Sequence, residues 1–376
     1  MNISFITSGH DHFDDRIFYH MARSFASRNI VVTIISSCVY KSEIVNGIRF
    51  SCFEGLNLSK RQKISEFICR LKVANSEIII CSEPLPVYAA SKYRKKWQPD
   101  SKIIYDITEW YPSKKNLCTY NKFVKWAHLI KLSVFNLWIS SFADAFIFGE
   151  YYKSRPYRVL FPRKPYIFIP YYPDLKYIER LSPELQPDKL RLSFSGKLTD
   201  DKGYGNFINL LINLAELYPD IIIEVKIIGW PDVCEKNNSK AEMPLKKNIS
   251  AAYYSKQSFI EYLNLIKDTD IFIDLRNNDF ENSHSLPIKL FYYAAFERPV
   301  IFSDLKAIRK EIDISSFGYL VNPFDINVIT EIIRNYLSDE NKYLCHCRSA
   351  RRAIENKYQW SSIEPDLFEF ILSVSE

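Results

Sequence analysis

The segment SGKLTDDKGYG, residues 195–205, sets Gly196, Gly203 and Gly205 beside Lys197 and Lys202, just ahead of an apolar helical stripe. Glycine backbone N–H groups, a helix N-terminus and two ammonium groups at one point form a phosphate-binding arrangement. The spacing is neither a Walker A loop nor G-x-G-x-x-G, and it also fits a solvated turn with surface lysines. A second segment, NDFENSHSLPIKLFYYAAFERP, offers Asn282, Ser283, Ser285 and Lys289 around a helix entry at Pro287. Proline suits a first helical turn, so an ordinary capped helix fits as well. Near the amino end, SGHDHFDDRIF gathers His10, Asp14, Asp15 and Arg16, and YDITEWYPSKK places Asp106 and Glu109 just after an apolar run. These carboxylates can serve as bases or as helix caps.

For such loops to meet a ligand they must follow the strands of an open α/β sheet, where ligands bind at the strands' carboxyl ends. The chain supplies that setting twice. Residues 3–6 form an apolar run, 8–15 a polar loop, Phe18, Met21, Ala22 and Phe25 a helical stripe, and 30–35 a second apolar run. Residues 190–194 lead into the glycine–lysine loop, followed by Phe207, Leu210, Leu211 and Leu214 at helical spacing and then the run 221–228. Near-continuous Ile/Val runs are the mark of buried parallel strands, so each segment is expected to be a βαβ unit. Further strands are expected at 77–81 and 102–105, and at 249–253, 270–274 and 299–302. Two doubly wound α/β domains follow. Pro170, Pro173, Pro183 and Pro187 interrupt both periodicities, which puts the boundary between 170 and 188. The domains are expected at 1–172 and 187–357, with a last helix at about 358–376.

A length of 376 residues, 47% of them hydrophobic and only 9 of them glycine, exceeds one comfortable core and agrees with two domains. Aromatics at 15% and 25% charged residues exclude a disordered chain. The balance of 50 Lys+Arg against 44 Asp+Glu suits anionic ligands without demanding nucleic acid, and no nucleic-acid motif is visible. The 8 cysteines are scattered through apolar stretches with no C-x-x-C pair, as in a reduced, cytoplasmic chain. Cys345, His346 and Cys347 lack a fourth ligand for a metal site. No signal peptide is expected at the amino end. From Lys92 to Lys131 the chain carries Lys92, Arg94, Lys95, Lys96, Lys102, Lys114, Lys115, Lys122, Lys125 and Lys131 against Asp100, Asp106 and Glu109, interleaved with Trp97, Trp110, Tyr111 and Trp126. Such a basic-aromatic stretch suits peripheral contact with an anionic membrane. The alternative is that Trp126, Leu129, Ile130 and Trp138 are core.

Taken together, the motifs resemble a family-4-type glycosyltransferase (group 1 glycosyl transferase) of the GT-B fold over nearly the whole chain. The first loop is similar to H-x-x-x-D-x-R-I-F, with His10, Asp14, Arg16, Ile17 and Phe18 in place. YDITEWYP resembles Y-D-x-H-E-x-Y-P, the central loop G-[KR]-L-x-x-x-K-G, and SLPIKLFYYAAFERPVIFSD the segment S-L-P-x-K-L-F-E-Y-x-A-x-x-x-P-V-I-x-S-D. GYLVNPFD and ARRAIENKYQW match the family's late strand and helix, and its last helix crosses back onto the first domain.

The resemblance implies two Rossmann-like domains facing a central cleft, an acceptor-binding first and a nucleotide-sugar-binding second. It implies a retaining, metal-independent transferase with no cofactor beyond its donor, UDP- or GDP-linked in this family, and a glycan or polyprenyl-diphosphate-linked acceptor in surface polysaccharide or glycoconjugate synthesis at the inner face of the membrane. Catalytic roles fall on Lys197, Lys202, Asp106 and Glu109. Nucleotide-sugar contacts fall on Gly9, His10, Arg16, Gly196, Gly203, Tyr254, Asn282, Ser285, Leu286, Pro287, Lys289 and Tyr292. Two departures stand out. The family's glutamate pair falls on His284 and Tyr292, which removes the carboxylate for the ribose, and Thr108 replaces a histidine. A non-catalytic subunit or glycan-binding partner is the alternative, and a nucleotide-sugar 2-epimerase fits the motif order less well.

Overall fold

The computed structural model describes residues 1–113, 122–231 and 246–376. They form two compact units, Met1–Tyr171 with Ser361–Glu376, and Tyr172–Trp360.

The first unit runs β1 (Asn2–Thr7), α1 (π-type over Asp15–Ala22, α-type over Arg23–Ala26), β2 (Val31–Ser36), β3 (Lys41–Val45), β4 (Ile48–Cys52), α2 (Lys60–Ala74), β5 (Ile78–Cys81), α3 (Pro84–Lys96), β6 (Lys102–Ile107), α4 (Lys122–Ser140), β7 (Ala145–Phe148), α5 (Tyr151–Leu160) and β8 (Tyr166–Phe168). Its sheet order is β3-β4-β2-β1-β5-β6-β7-β8. The paired strands are parallel apart from the β3–β4 hairpin. Strand order reverses between β1 and β5, the place where an open α/β sheet leaves a crevice. Asp14 caps α1, its Oδ1 accepting from the N–H groups of Arg16 and Ile17. The Asp14 carbonyl then takes the N–H of both Phe18 (2.9 Å) and Tyr19 (3.5 Å), the widened turn of a π-helix. The stripe Phe18, Met21, Ala22 and Phe25 is buried, as the spacing predicts.

The second unit runs β9 (Lys189–Lys197), α6 (Tyr204–Leu217), β10 (Ile222–Trp230), β11 (Ile249–Tyr254), α7 (Phe259–Ile266), β12 (Ile271–Asp274), α8 (Phe280–Ser283), α9 (Lys289–Ala295), β13 (Val300–Ser303), α10 (Lys306–Glu311), β14 (Gly318–Val321), α11 (Ile326–Ser338) and α12 (Glu340–Asn356). Its sheet, β11-β10-β9-β12-β13-β14, is parallel throughout and reverses order between β9 and β12. Helix α13 (Trp360–Ser375) closes the chain. Within the first unit its Phe368 lies 6.4 Å from Phe25 and under the Arg28 guanidinium.

Several expectations need correction. Ser195, Gly196 and Lys197 are not loop: β9 continues through them in register with Ile228–Trp230. Asp106 lies inside β6, paired with Ile147, rather than after the strand. The hairpin β3–β4 and strands β7 and β8 are not among the expected strands; β3 is mostly exposed, and β8 has only three residues. The stretch 173–187 is not a bare linker: a 3-10 turn at Leu175–Tyr177 leads into buried Ile178, which packs in the second unit's core. No described helix is long and apolar enough to cross a membrane.

Candidate functional site

In the second unit the loops after β9 and β12 meet at the reversal point. Gly203 has φ +81, and a Cβ there would lie 2.3 Å from the Leu275 carbonyl carbon and oxygen, so only glycine lets the start of α6 sit against the end of β12. Just before it, the 3-10 turn Asp200–Lys202 presents Lys202, whose Nζ donates to Asn282 Oδ1 (2.7 Å) and lies 3.7 Å from Asp201. Asn282 is buried, and its amide donates to the carbonyls of Asp201 (2.8 Å) and Asn277 (3.0 Å). It therefore ties the two loops together and holds the lysine.

Lys289, at the start of α9, donates to the Ser195 carbonyl and stands 3.6 Å from Asp274 Oδ2. Asp274 ends β12 and is gripped by Arg276, Nε to Oδ1 at 2.8 Å and Nη2 to Oδ2. Burial raises the cost of the Asp274 charge, yet Arg276 and Lys289 hold its carboxyl well below the usual range. The cations do not fare as well. Burial pushes the Lys289 amine down to about 8; Asp274 opposes that shift, while repulsion from Arg276 and Lys202 adds to it. Lys202 is lowered by burial and then by Arg276. Three crowded cations, two of them held below the ordinary lysine range, form a site that an anion would relieve.

Gly196, φ +132, brings the end of β9 close to this cluster: a Cβ there would lie 3.5 Å from Lys289 Nζ. Lys197 follows it, half-buried, opposite Trp230. Ser285, Leu286 and Pro287 form the turn into α9, and Tyr254 ends the edge strand β11, two strands from β9. Tyr292 is different. It is buried, with its ring 5.7 Å from Phe259 in the second unit's core, so its position in the family motif is filled by packing. Asp274 and Arg276 were not among the sequence candidates; the only signal is a charged pair closing an apolar strand, IFIDLR.

In the first unit Arg16, Asp106 and Gly9 all have partners within the protein. Arg16 (2% exposed) and Asp106 (0%) form a buried two-pronged pair, 2.7 and 2.8 Å. Arg16 also donates to the Ile169 carbonyl and lies over the Tyr171 ring. Both residues hold β6, α1 and the chain after β8 together. The Gly9 N–H donates to Glu83 Oε1 at 3.0 Å, so it too is engaged. His10 Nδ1 lies 2.8 Å from Asp14 Oδ2, and Nε2 lies 3.7 Å from Glu83 Oε1. Glu83, on which several groups converge, is a residue the sequence reading does not single out. Glu109 is exposed and lines a cavity of about 150 Å³ with Trp110, Tyr111, Asn136, Lys153 and Tyr157. Thr108 is buried, and its carbonyl accepts from Lys153 Nζ at 2.6 Å.

The basic-aromatic stretch is only partly as expected. Trp126 (68% exposed), Ile130 and Trp138 are not core but project from α4, with Lys125 and Lys131 exposed on the same helix. On α3, Lys92, Lys95 and Lys96 are exposed beside Trp97, whereas Arg94 is held by Asp144 at 2.6 Å. Lys114, Lys115 and the Lys122 side chain lie outside the described residues, as do Cys118 and Cys234. Cys345 is exposed and Cys347 buried on α12, and His346 Nδ1 lies 2.8 Å from the Tyr336 hydroxyl. Among the described residues no His/Cys/Asp/Glu group is arranged to hold a metal ion.

No protein-family model matches the chain, and no curated protein matches it. Solved structures do. The chain is similar to sucrose-phosphate synthase from Thermosynechococcus elongatus, with a TM-score of 0.76 and 12% identity over 100% of this chain and 99% of that one. It is similar to HepE from Anabaena in complex with UDP and glucose, with a TM-score of 0.71 and 12% identity over 99% and 100%. It is also similar to the lipopolysaccharide outer core galactosyltransferase WaaB, with a TM-score of 0.61 and 16% identity over 99% of each chain. Likeness at this level of identity is a likeness of fold: the chain has the two-unit, Rossmann-like GT-B fold of these glycosyltransferases.

Proposed function

We propose that the chain is a glycosyltransferase that moves a sugar from a nucleotide-sugar to a glycan or polyprenyl-diphosphate-linked acceptor in surface polysaccharide or glycoconjugate synthesis. The observation that carries this reading is the meeting of Lys202, Lys289 and Arg276 at the ends of β9 and β12. On this reading the second unit holds the donor, UDP- or GDP-linked, and the first unit serves the acceptor. The UDP and glucose in the HepE structure support a nucleotide-sugar at this fold.

As the glycosidic bond breaks, negative charge grows on the leaving diphosphate. Lys202, fixed by Asn282, and Lys289, beside Asp274, meet that charge with preorganised ammonium groups. Lys197 and the turn Ser285–Leu286–Pro287 complete the donor contacts, and Tyr254 flanks the base. Fixed cations of this kind do the charge neutralisation that a divalent ion performs elsewhere, which supports a metal-independent reaction. Retention of the anomeric configuration is part of the proposal, with Glu109 on the acceptor side. The exposed lysines and tryptophans of α3 and α4 support a cytoplasmic protein in peripheral contact with an anionic membrane; nucleic acid has no part in this reading.

The packing of Tyr292 where the family carries a ribose carboxylate favours a second reading, a non-catalytic GT-B subunit. The maintained, mutually repelling lysines weigh against it, because an unused anion site has no need to bear them. Incubation with a panel of nucleotide-sugars in the presence of EDTA, with and without lipid-linked acceptors, tests the proposal. Release of nucleotide, with a product whose anomeric proton coupling matches the donor's, is the expected result. No turnover of any donor would leave the subunit reading.

A further inference from the structure

Glu83 occupies the N-cap position of α3, where a side-chain oxygen ordinarily accepts from the helix's first free N–H groups, yet it makes no such bond. It reaches instead to the loop after β1. Its Oε2 accepts from Ser8 N–H at 2.8 Å, and its Oε1 from Gly9 N–H at 3.0 Å and the Thr7 hydroxyl at 2.8 Å. Burial pushes the Glu83 carboxyl up. Every one of these partners is a donor, however, so the group they surround is the carboxylate. Asp14, on the other side of His10, is in the same state: its Oδ1 accepts from two backbone N–H groups of α1 while its Oδ2 faces His10 Nδ1.

The imidazole thus has a carboxylate opposite each nitrogen. Asp14 faces it from the cap of α1, Glu83 from the cap of α3, Glu109 from the loop after β6, and Cys38 from the loop after β2. Burial alone would push the ring's ionisation down, but Asp14, with Glu83 and Glu109 behind it, lifts it to about 10. The two nitrogens are not equivalent. Nδ1–H is committed to Asp14, whereas Nε2, 3.7 Å from Glu83, is beyond hydrogen-bond reach of it.

We propose that His10 is a permanently charged donor whose Nε2–H serves an oxygen of the bound sugar substrate, that it takes up no proton in the reaction, and that Glu83 is the residue that positions it. The substrate part rests on the glycosyltransferase reading, while the charge state of His10 does not.

Nitrogen-15 NMR of histidine-labelled protein, with His10 assigned by loss of its signals in His10→Gln, tests the charge state directly. Both ring nitrogens of the wild type should show the protonated signature from about pH 6 to about pH 9. In Glu83→Gln the ionisation should fall by about one pH unit or more, and Glu83→Asp should restore most of it. A neutral His10 tautomer in the wild type near pH 7.5 overturns the proposal, and because that measurement needs no variant it stands even where Glu83→Gln fails to fold. An unchanged ionisation in folded Glu83→Gln overturns the part assigned to Glu83. If sugar transfer is observed, the alkaline limb of the kcat profile, which Lys289 gives to the wild type as well, should gain a second ionisation in Glu83→Gln; a wild-type profile governed by a histidine ionisation near its ordinary value contradicts the proposal. Absence of transfer counts against the glycosyltransferase reading and leaves the spectroscopic result to decide the charge state.

Discussion

Lys202 stands on a three-residue turn and contributes little to either core, so its removal should separate binding from folding. Lys202→Ala should lower sugar transfer by about a hundredfold or more while the melting temperature of the free protein stays close to wild type, measured by rate assays beside a thermal melt. Asn282→Ala should weaken donor binding as well, because the lysine loses the acceptor that fixes it; titration calorimetry with nucleotide gives the size of that loss. The Lys289 amine, lowered to about 8, sets a pH dependence. Below that value the amine is charged and attracts a diphosphate; above it the amine is neutral, so nucleotide-induced stabilisation should shrink as pH rises from about 7 to about 9. The free protein should do the reverse: its folded state gives up this proton before the unfolded chain does, so Lys289 favours folding increasingly from about 8 up to the ordinary lysine value of 10.5. Lys202 was legible in sequence because it lies together with glycines before a helix, and Lys289 because it stands at a helix entry beside Pro287. Glu83, Asp274 and Arg276 were not, because the partners that give Glu83 its meaning lie 74 to 76 residues away, and a charged residue closing an apolar run looks like any cap.

Arg16 and Asp106 act between elements. Each sits in a motif that resembles a ligand-binding segment, and the structure uses both to pin α1 against β6. Replacing one member of a buried, two-pronged pair leaves an uncompensated charge, so Asp106→Asn should cost about 3–5 kcal/mol of stability. Any loss of activity should follow the loss of folded protein in a denaturant melt; a stable Asp106→Asn with no activity would return Asp106 to a chemical role. Strand and helix periodicity located the βαβ units, since buried parallel strands are apolar along their length. It did not locate β3, which is largely exposed, nor show that α4 turns Trp126, Ile130 and Trp138 outward, because a stripe of apolar residues has the same spacing whether it meets a core or a membrane. With Lys125 and Lys131 beside it, that face should bind vesicles containing anionic lipid and release them as salt rises. Co-sedimentation of wild type and a Trp126→Ser/Trp138→Ser variant checks this, and equal binding by both would remove α4 from the interface.

At the scale of the whole chain, two sheets that each reverse strand order, β1 against β5 and β9 against β12, set the acidic histidine loop in one unit and the cation cluster in the other. That division was visible in the repeated order of strand, polar loop, helix and strand, while the prolines between 170 and 188 gave no sign that Ile178 packs in the second unit's core. On the proposed function, the cation cluster of the second unit holds a nucleotide diphosphate. A ligand present at a hundred times its Kd stabilises the folded state by about 2.7 kcal/mol, enough to read in a melt. The most direct test is the melting temperature of wild type and Lys202→Ala against UDP-, GDP-, ADP- and dTDP-sugars in EDTA. The account predicts that at least one nucleotide raises the wild-type value and leaves Lys202→Ala unmoved; no shift with any nucleotide, or an equal shift in both proteins, would contradict it.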